Sequence, residues 1–277
     1  MNLLDLKRKA IELRKDFVTM IYEAGAGHVG SDLSCTDILV SLYYHQLHVD
    51  PNNPEDPERD RYIQSKGHAV EILWAILADK GFIEKEELKT FSQFDSRLLG
   101  HPNNLVDGIE MNTGSLGHGL SVSVGSALAA KLDGANYQTY TLMGDGELAE
   151  GSVWEAAMAA TQYKLDNLTA IIDRNGLQIT GSTEDVMGLK DLHGKWEAFG
   201  WHVVDVKDGN DIEQLLAAYK DKVEGKPTVI IANTLKGKGV SAAEGVASWH
   251  HHALNSEEYE AAIADLDRAL EELVNGK

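Results

Sequence analysis

From residue 112 to residue 233 the chain alternates short apolar runs with helical stretches, and this rhythm is its strongest constraint on fold. QTYTLM (138–143), LTAIID (168–173), WHVVDV (201–206) and TVIIAN (228–233) are rich in β-branched, aromatic and other apolar residues. Between them lie SVWEAAMAATQYK, DLHGKWEAFG and DIEQLLAAYKDKVE, each with helical apolar spacing. Strands that are apolar nearly throughout must be covered on both sides. The pattern predicts an α/β fold with a parallel sheet and helices on both faces. The length of 277 residues suits a single large domain over 1–277. In such sheets, ligands bind at the carboxyl ends of the strands.

The first half is less regular. A helix is expected over 3–23, with Leu6, Ile11, Leu13, Phe17, Met20 and Ile21 facing the core. EAGAGHVGSDLS (23–34) reads as a Gly-rich loop, with Ser34 or Asp37 capping a helix that runs to about His45. The proline- and acid-rich segment 49–61 is an exposed loop. YIQSKGHAVEILWAILADKG reads as a strand, a turn and a helix ending at Gly81; further helices are expected at 84–94 and 256–274. GHPNN (100–104) is a loop with an exposed histidine.

The formal charge of −19 argues against nucleic acid or an anionic membrane as partner. The amphipathic, charge-interleaved start is unlike a signal peptide, and no apolar run reaches the ~20 residues that span a bilayer. A cytoplasmic location is the expectation. Cys35 is the one cysteine, so neither an intrachain disulfide nor a cysteine metal knuckle is available. An acidic chain of this kind needs a local cationic device to hold an anionic ligand.

Asp145 raises that question directly. It stands between Gly144 and Gly146 at the end of an apolar strand, a costly place for an unmatched charge. One reading is a dinucleotide fingerprint, Gly144-x-Gly146-x-x-Ala149, with Asp173 closing the next strand as the ribose-binding acid of a nicotinamide-dependent oxidoreductase. A carboxylate in that cradle would, however, repel a pyrophosphate. A second reading places a cation there. Asn175 lies one strand–helix–strand unit further on, at the same sheet edge. An Asp carboxylate and an Asn amide oxygen are hard ligands, suited to Mg²⁺ or Ca²⁺ completed by phosphate oxygens. Glu147 and Glu150, just after the aspartate, read as acids at a helix N-terminus.

Four histidines sit in Gly- or Ser-flanked loops: GHVGS (27–31), SKGHA (65–69), GHP (100–102) and SWH (248–250). Their spacing does not suit a histidine metal site, since only 250–252 is clustered and consecutive residues point apart. Histidines that reach into a pocket to bind hydroxyls or move protons fit better.

GDG followed by DRNGLQITG (173–181) resembles the thiamine-diphosphate motif of thiamine-dependent enzymes. The four histidine loops, NTGSLGHGLS (112–121), GDGELAEGSVWE (144–155) and LKGKG (235–239), in this order, resemble the N-terminal domain of the transketolase family. Val29 stands where that family usually has proline, and His118 where it often has glutamine. Full-length members continue into pyrimidine-binding and C-terminal domains, so the resemblance is to the N-terminal subunit of a split transketolase.

That resemblance implies thiamine diphosphate with Mg²⁺, or Ca²⁺ or Mn²⁺ in its place, held by Asp145, Asn175 and the Leu177 carbonyl. His28, His68, His101 and His250 would line the substrate channel, with His68 and His250 also touching cofactor. Gly114, Ser115, Leu116 and Gly146 would bring backbone against the cofactor, and Ser31 and Lys236 would contact it. Glu150 and Glu155 would lie at a subunit boundary that links active sites. The implied reaction is two-carbon ketol transfer from a ketose to an aldose phosphate. The implied partner is a C-terminal subunit that carries the activating glutamate, in an α2β2 assembly. The alpha chain of a 2-oxo acid dehydrogenase would share GDG…N, but not the histidine loops.

Overall fold

The computed structural model describes residues 1–276. Its strands are β1 (Arg61–Gln64), β2 (Thr139–Gly144), β3 (Leu168–Arg174), β4 (Leu177–Gln178), β5 (Gly181–Ser182), β6 (His202–Val206) and β7 (Thr228–Asn233). Five of them form one parallel sheet in the order β1-β2-β3-β7-β6, while β4 and β5 make a small antiparallel hairpin. The helices are α1 (Leu3–Ala24), α2 (Val29–Ser41), α3 (Glu71–Lys80), α4 (Gly119–Asp133), α5 (Gly151–Gln162), α6 (Thr183–Met187), α7 (Leu192–Ala198), α8 (Ile212–Ala218) and α9 (Ser256–Val274).

Alternate residues of the central strands feed two separate cores. Tyr140, Leu142, Ile171 and Ile230 pack with α1, α2, α3 and α8, whereas Met143, Ile172, Val229 and Ile231 pack with α4, α5 and α7. The sheet is thus covered on both faces, as the apolar strands predict. Each of these fully buried side chains contributes about 1.5–3 kcal/mol. The register aligns Gln64 with Leu142, Gly144 with Asp173, and Asp173 with Ala232. The segments that leave β1, β2, β3 and β7 therefore emerge together at one edge.

Three local expectations fail. Ser34 and Asp37 do not cap α2, which begins at Val29 with His28 as its N-cap. Every residue of α2 is buried, so it carries no amphipathic period from which a start could be read. Ser34 instead reaches Asp173, and Asp37 pairs with Arg14 at 2.6 Å. The 84–94 segment makes only a 3₁₀ turn at Lys85–Thr90, and left-handed Ser92 and Asp95 prevent its extension. The helix expected over 211–224 stops at Ala218. In α1, Ile11 is half-buried, and Val18 joins the core stripe.

Candidate active site

The segments at the sheet edge enclose a cavity of about 420 Å³. Its floor is an internally matched charge network. Asp173, at the end of β3, is 0% exposed and accepts from Lys66 Nζ and Ser34 Oγ, both at 2.6 Å, from Asn175 Nδ2 at 3.2 Å, and from Thr234 Oγ1. Lys66 also donates to the Ser31 carbonyl at 2.9 Å. Burial would raise the Asp173 carboxyl, but Lys66 and the hydroxyls outweigh it and hold the group below the usual carboxylate range. Burial would likewise depress Lys66, yet Asp173 pushes it up.

Asp145 is equally enclosed and differently served. Its Oδ1 accepts from Gly146 N–H at 2.9 Å and its Oδ2 from Gly176 N–H at 2.8 Å. No cation pairs with it among the described residues. Burial, then the charge of Asp173, pushes its carboxyl up to about 6. Asn175 turns Nδ2 toward Asp173 and Ser34, while its Oδ1 accepts from Leu177 N–H at 3.1 Å. Asp145, Asn175 and Leu177 all line the cavity. A buried carboxylate lacking a cation, an amide oxygen and a nearby carbonyl form an all-oxygen donor set that fits a hard divalent ion.

Above this wall the histidines gather. The His28 ring centroid lies 5.3 Å from His68, 6.2 Å from His101, 5.9 Å from His250 and 4.7 Å from His251, and His68 lies 4.9 Å from His250. Lys236 Nζ stands 2.8 Å from His250 Nδ1. A lysine ammonium only donates, so Nδ1 accepts and His250 carries its hydrogen on Nε2. Burial and Lys236 push His250 down to about 3, and burial and Lys66 push Lys236 down to about 8. Burial also lowers His28, His68 and His101. These rings are therefore neutral hydrogen-bonding groups at neutral pH. Among the described residues no three His, Cys, Asp or Glu side chains converge on a metal position.

Of the residues named from sequence, His28, Ser31, His68, Gly114, Leu116, Asp145, Gly146, Asn175, Leu177, Lys236 and His250 form the cavity wall. His101 is exposed at the rim beside Gly114; a Cβ on that glycine (φ +140°) would lie 2.7 Å from the His101 ring. Ser115, Glu150 and Glu155 are exposed and outside the wall. Glu147 does lie in the first turn of a short 3₁₀ helix, Gly146–Ala149, but it faces inward. It is buried, accepts from Gly117 N–H at 2.8 Å, Gly144 N–H at 3.0 Å and Ser65 Oγ, and ties three site loops together. Sequence reasoning also assigned no role to Lys66, Gln178, Ile179, Thr180 or His251. Lys66 and the 178–180 segment lie inside recognisable motifs, but their direction is a tertiary fact.

A family model described as transketolase, thiamine diphosphate binding domain, matches residues 7–268. The chain belongs to the transketolase family. It is 51% identical over 269 residues to one of the subunits of the apulose-4-phosphate transketolase of Phocaeicola vulgatus, covering 95% of each chain. It is 42% identical over 268 residues to a 6-deoxy-6-sulfo-D-fructose transketolase subunit of a Clostridium species, covering 96% of this chain and 97% of the other. Among solved structures, the transketolase of Campylobacter jejuni superposes with a TM-score of 0.88 at 32% identity, over 99% of this chain and 48% of that one. The chain thus spans about half of a full-length transketolase, and nearly all of the split subunits it resembles.

Within the transketolase family the chain corresponds to the N-terminal subunit of a split enzyme, a component of a ketol-transferring transferase with a thiamine-diphosphate-binding domain. The nicotinamide reading is not favoured. Asp173, its ribose-binding acid, is sealed beneath the floor and committed to Lys66. No helix of the described residues is long and apolar enough to cross a membrane.

Proposed function

We propose that this chain is the diphosphate-binding half of a two-chain transketolase, a single unit whose pyrimidine-binding and C-terminal domains reside on a partner subunit. The observation that carries this reading is the placement of Asp145 and Asn175 in the wall of a cavity roofed by neutral histidines. Asp145, Asn175 Oδ1 and the Leu177 carbonyl would hold Mg²⁺, with Ca²⁺ or Mn²⁺ as substitutes. Ser31, Gly114, Leu116 and Gly146, all in the cavity wall, would lie against the cofactor, and Lys236 adds local positive charge. Thiamine diphosphate, when bound, supplies a carbon nucleophile and an electron sink for cleavage of the bond beside a ketose carbonyl.

The chain's own contribution is positional and protonic. His28, His68, His101 and His250 bind the hydroxyls of an extended sugar. Neutral rings with lowered basicity move a proton at a substrate hydroxyl without holding it. His250 Nε2–H donates to a developing alkoxide, with Lys236 fixing its tautomer. Glu150 and Glu155 are exposed on α5 and its N-cap, where they meet the second copy in an α2β2 assembly. The relatives' names make apulose 4-phosphate, and sugars with a terminal anion generally, the first donors to test.

The test is assembly with the partner subunit, thiamine diphosphate and Mg²⁺, followed by turnover of a ketose–aldose pair. Two-carbon transfer by the pair, and none by this chain alone, is expected. An assembly that binds the cofactor yet transfers no ketol unit among ketose and aldose phosphates overturns the reading.

A further inference from the structure

Two carboxyl groups outside the cavity wall are sealed against His28. Asp32, in the first turn of α2, and Glu71, the first residue of α3, are both 0% exposed. They are neighbours, since Asp32 reaches the backbone of the residue after Glu71, and the charge of Glu71 raises the Asp32 carboxyl. Glu71 Oε1 accepts the His28 backbone N–H at 3.0 Å, and Asp32 Oδ1 accepts the Ile72 N–H at 3.0 Å. Their other oxygens, Asp32 Oδ2 and Glu71 Oε2, have no donor. Ketol transfer as derived for the histidines uses neither group.

Two ionised carboxylates buried as neighbours repel each other and leave both of these oxygens without a donor. One proton held between them removes both penalties. Complete neutralisation is opposed by the N-terminal ends of two helices and by two backbone N–H donors, all of which favour negative charge here. Burial raises both carboxyls, consistent with one proton retained at neutral pH.

We propose that Asp32 and Glu71 share one proton, and that the resulting monoanion positions His28 as a hydrogen-bond acceptor for the ketol-transfer reaction; this rests on the function proposed above. His28 Nδ1 lies 3.7 Å from Glu71 Oε1 and has no hydrogen-bond partner. Facing an anionic oxygen, that nitrogen favours N–H over a lone pair. Nε2 is then the lone-pair acceptor of the ring. His250, 5.9 Å away, has the opposite tautomer and donates through Nε2–H. One acceptor and one donor across the same cavity can hold a substrate hydroxyl in a defined orientation and take its proton from a known side. Glu71 and Asp32 are positioning residues in this scheme, acting through His28.

The experiment uses histidine-¹⁵N-labelled chain assembled with its partner subunit. At pH 7, ¹⁵N spectra should show the Nδ1–H tautomer for His28, assigned by its loss in His28→Ala. In Glu71→Leu the tautomer should change, and kcat should fall about 10- to 100-fold with KM little altered, the usual loss for an orienting partner. Glu71→Gln keeps an oxygen toward His28 and an N–H toward Asp32, so it should restore the tautomer and most of kcat. In a His28→Ala background, Glu71→Leu should cost nothing further. Infrared spectra should show a protonated carboxyl at pH 7 that both Asp32→Asn and Glu71→Gln remove. An Nε2–H tautomer in the wild type, an unchanged tautomer in Glu71→Leu, or no protonated carboxyl overturns the proposal. If Glu71→Leu does not fold, the wild-type tautomer and the two amide variants decide it. The expected tautomer in an assembly without ketol transfer upholds the proton-sharing pair and sinks the functional reading instead.

Discussion

Asp145 and Asp173 stand at the ends of neighbouring strands, both almost fully enclosed, and their environments drive them in opposite directions. Asp173 faces an ammonium, two hydroxyls and an amide, and is held below the ordinary carboxylate range. Asp145 accepts from two backbone N–H groups, forms no ion pair among the described residues and feels Lys236 only at a distance, so burial pushes it up to about 6. The difference separates a charge that the fold neutralises for itself from one without an ion-pair partner in the chain, which the proposed divalent ion would match. Proteins match buried charge internally unless function needs it unmatched.

The largest expected effect breaks the matched side. Lys66→Met strands the Asp173 carboxylate and should destabilise the chain by about 3–5 kcal/mol, read from the denaturant midpoint. Adding Asp173→Asn should restore much of the loss. A single-variant loss below about 1 kcal/mol would mean that water reaches the floor. The pH dependence follows from the same pairing. Asp173 has a lowered folded value, so its contribution is present above the unfolded carboxylate range and is lost as pH falls. Lys66, with a raised folded value, contributes below its unfolded value and loses that contribution as pH rises beyond it.

The unmatched side should respond with the opposite sign. The folded value of Asp145 lies above its unfolded one, so the favourable contribution exists at low pH and is lost as pH rises from about 4 through 6. Above that window the ionised group costs the ligand-free chain up to about 3 kcal/mol. Asp145→Asn should therefore raise the ligand-free melting temperature, and should abolish the upward shift given by thiamine diphosphate with Mg²⁺. A variant that melts lower, or that keeps its Mg²⁺-dependent shift, removes the basis of the comparison.

A smaller effect is expected at the cavity's own cation. Lys236→Met should weaken cofactor binding by about 10- to 100-fold, from loss of a charge-assisted hydrogen bond worth about 1.5–3 kcal/mol. It should also raise the titration midpoint of His250 from about 3, since Lys236 is its second depressing influence after burial. Calorimetry and histidine NMR read these two changes separately. Smallest of all, Glu155→Gln should alter the stability of the isolated chain by less than about 0.5 kcal/mol, because that side chain is exposed. Any substantial effect should appear only in dissociation of the assembly, measured by sedimentation.

Much of the site was legible because its parts follow strands. Gly144, Asp145 and Asn175 sit at strand ends in any parallel α/β sheet, and alternation alone located those ends. The histidine loops were visible through their flanking glycines and serines. Glu147 was not: it shares its surroundings in sequence with exposed Glu150, and only the approach of Ser65 and Gly117 distinguishes them. Nothing in the sequence singles out His251, because consecutive residues are expected to point apart. It is His252 that turns away, to Glu258 at 3.0 Å, while His250 and His251 both approach His28.

By itself the sequence determined the sheet, its two covered faces, and the chemistry available at one edge. These follow from local periodicity and residue type, which neighbouring residues set. Tertiary structure alone decided which charges meet. Lys66 and Asp173 are 107 residues apart, and Asp32 and Glu71 lie on different helices. Whether a carboxylate is neutralised, shares a proton or waits for a cation depends on through-space distance in a low-dielectric interior, and no local pattern encodes that distance.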